Sequence, residues 1–393
     1  MRLLLSAAAV LLVAAAPPPP APVEPVTDDY YGTKVTDDYR WMESGKDARW
    51  MPWLKAQADY TASVMGAIPG RAALFRDIQA LTGDTTAVSS VRAAGGKVFV
   101  QKRDQGAEDP KLYLMGDGAP RVVFDPATFG GGDQAMDWWR PSPDGRLVAL
   151  GLSKRGSEAS VLRVLDVASG KLLPDAIPGT DYAVISWLPD SSGLAYLAFV
   201  GEQGTPTYYV NSEMRLHRLG ATGKDMVLIP RDKPPFPLTP EQMAFLSFDD
   251  RSPYAMAAVQ DGRRESIVYV APTADVLAGK AQWKLVGDFD QRIEQGGLVG
   301  DKVWVVSTKD EPNGRLLVTS AAKPDLKTAQ TIAIPGEAPK SGLWNTAWGG
   351  WLQTVEGRSS GLWRVGSDGS ASKVALPFVG DASVLSTDHK DGS

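Results

Sequence analysis

The sequence predicts a mainly β protein of the β-propeller type, entered through a short helical segment. Three observations carry that reading. A turn followed by an apolar strand recurs about every fifty residues. Gly and Pro, 40 and 29 of 393 residues, exceed their usual share and favour many turns between short strands. Helical periodicity, by contrast, is confined to one stretch near the N-terminus.

The chain opens with Met1-Arg2 and then an apolar run from Leu3 to Ala16, closed by Ala14-Ala15-Ala16 and Pro17 to Pro20. A positive start, a short apolar stretch and a small-residue exit fit a secretory signal peptide. The run is shorter than the roughly 20 residues a membrane-spanning helix needs. Residues 1–21 therefore read as signal peptide and Pro-rich leader. The expectation is an exported chain, periplasmic or secreted, with no membrane attachment after cleavage near Ala16 or Ala21; the alternative is an uncleaved anchor.

From Arg40 to Leu81 the texture is helical. Trp50, Trp53, Leu54, Gln57, Tyr60, Thr61 and Val64 recur at spacings of three and four, and Pro52 sits where a first turn tolerates it. Pro69-Gly70 interrupts the pattern, Leu74, Ile78 and Leu81 suggest a second short helix, and Gly83 closes it.

After Gly83 strands and turns alternate. Turn-plus-strand segments are GGKVFV, DGRLVAL, SGLAYLAF, SPYAMAAV, GDKVWVVS and GGWLQTVE. Their strands start at Lys97, Arg146, Leu194, Pro253, Lys302 and Trp351, at spacings of 49, 48, 59, 49 and 49. A second strand follows each time, as in KLYLMG at Lys111 and VLRVLD at Val161. Two markers with one period are the signature of propeller blades, small sheets that bury their faces only against neighbours. The wide interval holds an insertion, Gly201 to Glu213. Trp139, Trp187 and Trp348, each ahead of a turn, are expected to plug the spaces between blades. Six units are visible, and a seventh would start near residue 400, past Ser393. The paired-sandwich alternative accommodates six near-equal units poorly.

Composition narrows the chemistry. With no Cys there are no disulfides, thiolate nucleophiles or Cys-bound metals, and two His, His217 and His389, leave little for a His-built metal site. A net charge of −5 gives no nucleic-acid footprint. No cofactor and no metal are expected.

Several segments resemble the prolyl oligopeptidase family. Residues 31–43, YGTKVTDDYRWME, are similar to its opening Y-x-G-x-x-V-x-D-P-Y-R-W-L-E, with Asp38 and Met42 in place of Pro and Leu. WMPWLKAQADYT from Trp50 resembles its W-V-x-x-Q-N-x-x-T helix, with Ala58 for Asn. PSPDGRLVALGLSKRGSEAS from Pro141, ISWLPDSSGLAY from Ile185, RLHRLGATGKDMVLI from Arg215 and VSTKDEPNGRLL from Val306 follow in the family's order, the last with Glu311 for Ala. The resemblance implies a helical N-terminal segment (22–83), a seven-bladed propeller (84–393, about six blades complete and the last truncated), and a C-terminal α/β-hydrolase domain absent from this chain. The family consists of serine endopeptidases that cleave short peptides on the carboxyl side of proline. This portion is then expected to gate substrates and to be inactive alone. Peptide substrates are expected to engage through the missing domain, and a monomer is expected if the protein is complete. The alternative is a non-catalytic propeller that binds peptides or serves as a scaffold.

No catalytic residue is assigned. Gly357-Arg358-Ser359-Ser360-Gly361 matches the nucleophile pattern Gly-x-Ser-x-Gly, but that elbow needs a strand, a sharp turn and a helix. Here a further strand and turn follow, so Ser359 reads as a turn serine. Asp28-Asp29 and Asp37-Asp38 lack the alternating spacing of a calcium loop, Asp249-Asp250 falls in a blade turn, and Gly130 to Gly132 lack the context of a phosphate loop. By the resemblance, Tyr182 is the one substrate-binding candidate, an aromatic near the residue preceding proline. The family's substrate-reaching arginine falls near Gln260, with Arg263 or Arg264 as substitutes.

Overall fold

The structure is a computed structural model that describes residues 17–82, 85–154, 157–232, 238–384 and 386–388. The signal-peptide reading of residues 1–16, the closing Gly83 and His389 lie outside the described residues. The chain divides into two units, Met1–Thr85 and Thr86–Ser393.

The first unit pairs a hairpin with two helices. Strands β1 (Val26–Tyr30) and β2 (Thr33–Asp37) are antiparallel. They turn through Tyr31 and Gly32, both at positive φ, where the Asp29 carboxylate accepts from the Gly32 amide at 2.6 Å. The acidic pairs are structural: Arg40 bonds Asp28 and, at 3.0 Å, Asp37. Helix α1 (Trp50–Gly66) begins as Pro52 predicts, and α2 (Arg71–Thr82) follows after the Pro69-Gly70 break. Trp50 stacks on Trp53 with ring centres 5.7 Å apart. Neither helix buries a residue, and Leu74, Phe75, Ile78 and Leu81 of α2 are exposed.

The second unit is a β-propeller of six four-stranded antiparallel sheets. Blade one holds β3 (Ala87–Ala94), β4 (Lys97–Arg103), β5 (Lys111–Met115) and β6 (Arg121–Phe124). Blade two holds β7 (Gln134–Pro141), β8 (Leu147–Lys154), β9 (Val161–Asp166) and β10 (Lys171–Ile177). Blade three is β11 (Ile185–Trp187), β12 (Gly193–Ala198), β13 (Glu213–Arg218) and β14 (Met226–Val227). Blade four is β15 (Met243–Phe248), β16 (Tyr254–Gln260), β17 (Ile267–Pro272) and β18 (Lys284–Gly287), with the short helix α3 (Thr273–Leu277) before its last strand. Blade five is β19 (Ile293–Val299), β20 (Lys302–Ser307), β21 (Arg315–Ser320) and β22 (Gln330–Ile332). Blade six is β23 (Lys340–Thr346), β24 (Gly349–Glu356), β25 (Ser359–Gly366) and β26 (Ala371–Lys373).

The recurring segments of the sequence are the second and third strand of each blade. First strands of consecutive blades approach one another, β3 to β7, β11 to β15 and β19 to β23, so they line the axis. The antiparallel order fixes two faces. Turns between first and second strands share one face; loops between second and third strands, and crossovers to the next blade, share the other.

Apolar clusters fill the five junctions between consecutive blades. Phe99 and Leu112 meet Trp139 and Leu150 between blades one and two; Trp138 and Leu162 meet Trp187 and Tyr196 between two and three. Leu197 meets Leu246 and Ala257, Val268 meets Val303, and Trp304 meets Leu352 and Trp363 at the later junctions. Trp139 and Trp187 thus plug blades as expected. Trp348 does not: it lies half-buried in the β23–β24 turn, edge-on to Trp351 and under Arg364. Trp138, Trp304 and Trp363 do the packing instead.

No apolar cluster joins blades six and one among the described residues. The outward face of blade one leaves Val98, Met115 and Val122 exposed. Hydrogen bonds made by the segment between Gly380 and Asp388 link the two blades. Its first end accepts from the Ser360 amide at 3.0 Å (Gly380 carbonyl) and bonds the Ser360 hydroxyl (Asp381). Its other end accepts from the Ala93 amide at 3.0 Å (Ser386) and the Gly96 amide at 2.8 Å (Asp388). The count therefore differs in detail from a seven-bladed plan: six complete four-stranded sheets are present among the described residues, and residues 374–384 and 386–388 contain no strand. That stretch lacks the alternating apolar pattern a blade strand requires.

Candidate functional site: an aromatic platform on the crossover face

Tyr182 lies in the crossover from β10 to β11. Gly179 shapes the crossover, with φ of +70° and no room for a Cβ, which would come 2.9 Å from the Phe199 carbonyl oxygen. The Phe199 amide in turn donates to the Gly179 carbonyl at 3.0 Å. The insertion after β12 folds back across this crossover. There Thr205 closes a turn on the Glu202 carbonyl at 2.6 Å, and Asn211, at positive φ, donates its amide to Pro240 at 2.8 Å.

This brings four aromatic rings together. Tyr182 stacks on Tyr209 with centres 5.9 Å apart and planes 18° from parallel. Phe199 meets both edge-on, at 5.3 and 5.0 Å, and Tyr208 lies beneath. Tyr182 and Tyr209 are about half exposed (49% and 46%), whereas Tyr208 is buried. The upper pair is thus a half-exposed aromatic stack, and the phenols give it the amphipathic character that suits transient ligand contact.

A polar network fixes the platform from below. The Tyr208 hydroxyl bonds Asp181, which also accepts from the Ser160 amide at 3.1 Å. Burial pushes the Asp181 carboxyl above the usual carboxylate range, and burial together with the hydrogen bond to Asp181 raises the Tyr208 phenol. Asp137 accepts from Ser160 at 2.5 Å and Ser153 at 3.0 Å. The Trp138 indole donates to the Thr180 carbonyl at 3.0 Å. The platform therefore rests on a hydrogen-bonded network anchored by buried Trp138, Ser153 and Ser160 of blade two and its flank, with Asp137 at the exposed edge.

The remaining candidates lie elsewhere. Gln260 donates to Ser266 at 2.9 Å, Arg263 pairs with Asp261 at 2.8 Å and covers the Phe289 ring at 3.9 Å, and Arg264 pairs with Glu294 at 3.2 Å. All three are held within blades four and five. Ser359 opens β25 directly after the tight Gly357-Arg358 turn and donates to the Glu356 carbonyl at 3.0 Å. A hairpin, not a strand–turn–helix elbow, surrounds it. Gly130 to Gly132 form a 3-10 turn between blades one and two. Among the described residues no group of three His, Asp or Glu side chains is placed to hold a metal ion.

A feature that the sequence reading did not single out joins blades two and three on the opposite face. His217 of β13 bonds Asp175 of β10 through Nε2 at 2.8 Å and Asp225 through Nδ1 at 2.9 Å. Asp175 also accepts from the Gly220 amide at 2.7 Å, and Tyr196 donates to Asp225 at 2.7 Å. Two carboxylate acceptors require both ring nitrogens to carry protons, hence an imidazolium. Burial, the strongest single influence, opposes that charge, but the bonds to Asp175 and Asp225 outweigh it and raise the His217 pKa above its ordinary 6.5. The group lines a cavity of about 670 Å³ with Arg215 and Lys224. Its partners come from separate strands and a turn, so sequence spacing alone gives no signal of them.

Comparisons with known proteins agree with this fold. The sequence profile described as prolyl oligopeptidase, N-terminal beta-propeller domain, matches residues 18–391. Prolyl endopeptidase from Elizabethkingia meningoseptica is 24% identical over 320 residues, 80% of this chain and 44% of that protein. Prolyl oligopeptidase A from Amanita bisporigera is 23% identical over 270 residues, 63% of this chain and 34% of that protein. A solved prolyl endopeptidase structure superposes with a TM-score of 0.81 at 24% identity, covering 93% of this chain and 54% of the other. Prolyl oligopeptidase B from Galerina marginata, solved with a 35mer substrate, gives 0.77 at 17% identity, covering 96% and 56%. The chain thus spans less than half the length of these curated relatives and just over half of these solved chains. It belongs to the prolyl oligopeptidase family, of which it forms the N-terminal β-propeller portion.

Proposed function

We propose that this chain is the substrate-gating propeller of an exported prolyl oligopeptidase-like serine endopeptidase that hydrolyses short peptides on the carboxyl side of proline. The observation that carries the proposal is the Tyr182–Tyr209 stack, half exposed on the crossover face and fixed from below by Tyr208 and Asp181. A flat aromatic surface favours proline rings and small apolar side chains over charged ones. In this reading it receives the residue preceding proline, while the hydrolase domain of the full-length protein supplies nucleophile, base and acid. The exposed apolar residues of α2 support a further domain in the working enzyme, since such a surface gains stability when covered.

Gating here is exclusion by size: a peptide reaches the face of a propeller where a folded protein is held off. Export follows from the apolar N-terminal run and its small-residue exit. The test is an assay of this chain with a proline-containing chromogenic peptide, alongside binding of the same peptide. Binding without turnover is expected. Turnover by the chain alone would overturn the assignment of chemistry to the other domain.

A further inference from the structure

On the face opposite the tyrosine platform, the first strands of four blades and the 386–387 segment enclose a cavity of about 210 Å³. Arg92 of β3 and Arg140 of β7 line it, together with Ile185, Trp187, Phe248 and Asp250. We propose that this cavity binds a small organic monocarboxylate, the anion being held between Arg92 and Arg140.

The two arginines are unlike the paired ones in this protein. Arg40, Arg49, Arg215 and Arg251 each bond a carboxylate. Arg92 instead lies over the Trp139 ring at 5.4 Å, and its Nε is shielded from solvent and finds no hydrogen-bond partner among the described residues. Arg140 donates to the neighbouring Trp139 carbonyl at 2.9 Å. Burial first, and the Arg140 charge second, push the Arg92 guanidinium down to about 10; burial also lowers Arg140. Two like charges partly stripped of water are costly unless something answers them. A carboxylate answers both at once, because its two oxygens match guanidinium forks.

The walls select among anions. Ile185, Trp187 and Phe248 present apolar surface to the body of a ligand, which a bare inorganic ion leaves unfilled. Asp250, 4.0 Å from the Arg251 guanidinium, puts carboxylate oxygens in the lining, which disfavours a second negative charge on the ligand. The site is also held in place without ligand: the Trp187 indole donates to the Arg140 carbonyl at 3.1 Å, and Ser186 accepts from the Phe248 amide at 2.8 Å. An N-acylated apolar amino acid, or the carboxyl end of a short peptide, has the required shape and charge. This site is independent of the Tyr182 surface, and either assignment can fail without the other.

The experiment titrates the whole chain with N-acetyl-leucine, its neutral amide and inorganic phosphate, following tryptophan fluorescence and thermal midpoint. N-acetyl-leucine is expected to bind saturably and raise the midpoint, with the amide about tenfold weaker or worse. Arg92→Gln and Arg140→Gln should each weaken acid binding by about tenfold while leaving the unliganded midpoint unchanged or higher, since each relieves repulsion. Equal affinity for acid and amide overturns the proposal, and so does phosphate binding as tight as the acid. A fall in midpoint with either variant marks the arginines as structural and overturns it too. The acid–amide comparison uses the unaltered protein and stands even if a variant fails to fold.

Discussion

Asp175 of blade two and His217 of blade three lie 2.8 Å apart, Oδ1 to Nε2, and both side chains are almost fully buried, at 2% and 8% exposure. The contact is an electrostatic fastening between blades that also meet through apolar packing and through the Trp187 indole bond to the Arg140 carbonyl. Its pH dependence follows from two shifts. The His217 pKa is raised, so its contribution is complete below the ordinary 6.5 and is lost as pH climbs through the folded value. Asp175 is lowered: burial opposes its charge, but bonds from His217 and the Gly220 amide prevail, so its contribution is lost as pH falls below 3.8 towards the folded value. Stability from this contact is therefore greatest between the two ordinary values. His217→Ala should cost about 3–5 kcal/mol near pH 6, because it leaves buried carboxylates without their partner. The deficit should shrink in alkaline buffer, as measured by urea unfolding across pH. A cost independent of pH would assign His217 to packing alone.

The second prediction separates tryptophans that look equivalent in sequence. Trp304 is 1% exposed between blades five and six, so Trp304→Ala should cost about 3–5 kcal/mol. Trp348 sits in a turn beside the Trp351 ring and under the Arg364 guanidinium, and Trp348→Ala should cost about 1 kcal/mol. Chemical denaturation of the two variants checks the order, and a larger loss at Trp348 would contradict the packing assigned here.

That contrast indicates what was legible. The second and third strands of each blade declared themselves because both of their faces are packed: GLAYLA of β12 is buried throughout, so its apolar run is unbroken. First strands were harder to read because they line the axis and carry polar or small residues, as in IEQGGLV of β19 and KSGLWNT of β23. Outermost strands such as β14 and β26 are two and three residues long, too short for any period to register. At the candidate site, Tyr182 was named through a family resemblance. Its partner Tyr209 was not, since an insertion has no repeat to align with and only folding back brings it to the platform. The His217 group and the Arg92–Arg140 pair were invisible for the same reason: each is assembled from separate blades.

The third prediction concerns the polar link between blades six and one. Asp388 is 4% exposed and accepts from the Gly96 amide at 2.8 Å. Asp388→Ala should make the Gly96 amide exchange faster by an opening free energy of about 1.5–3 kcal/mol, the value of a charge-assisted hydrogen bond. Amides in β20 and β21, inside a packed junction, should keep their protection. Uniform loss across all blades would mean that the link holds the whole unit and not one edge.

The fourth prediction concerns the Gly-x-Ser-x-Gly match. Ser359→Ala removes a bond to the Glu356 carbonyl in a hairpin, and its stability effect should stay within about 0.5–1.5 kcal/mol. An active-site serine probe should label the unaltered chain and the variant equally weakly. Strong labelling that disappears with Ser359→Ala would make this residue a nucleophile after all.

The most direct test of the functional account is a titration of the chain with a short proline-containing peptide, comparing the unaltered protein with Tyr182→Ala and Tyr209→Ala. Each substitution removes one half of a half-exposed stack. Each should weaken peptide binding by about 0.5–1.5 kcal/mol, the scale of one aromatic pair, and lower stability by a similar amount, so binding is compared at a temperature where all three proteins are folded. Peptide affinity identical in all three proteins would contradict the assignment of this platform as the peptide-contacting surface of the propeller.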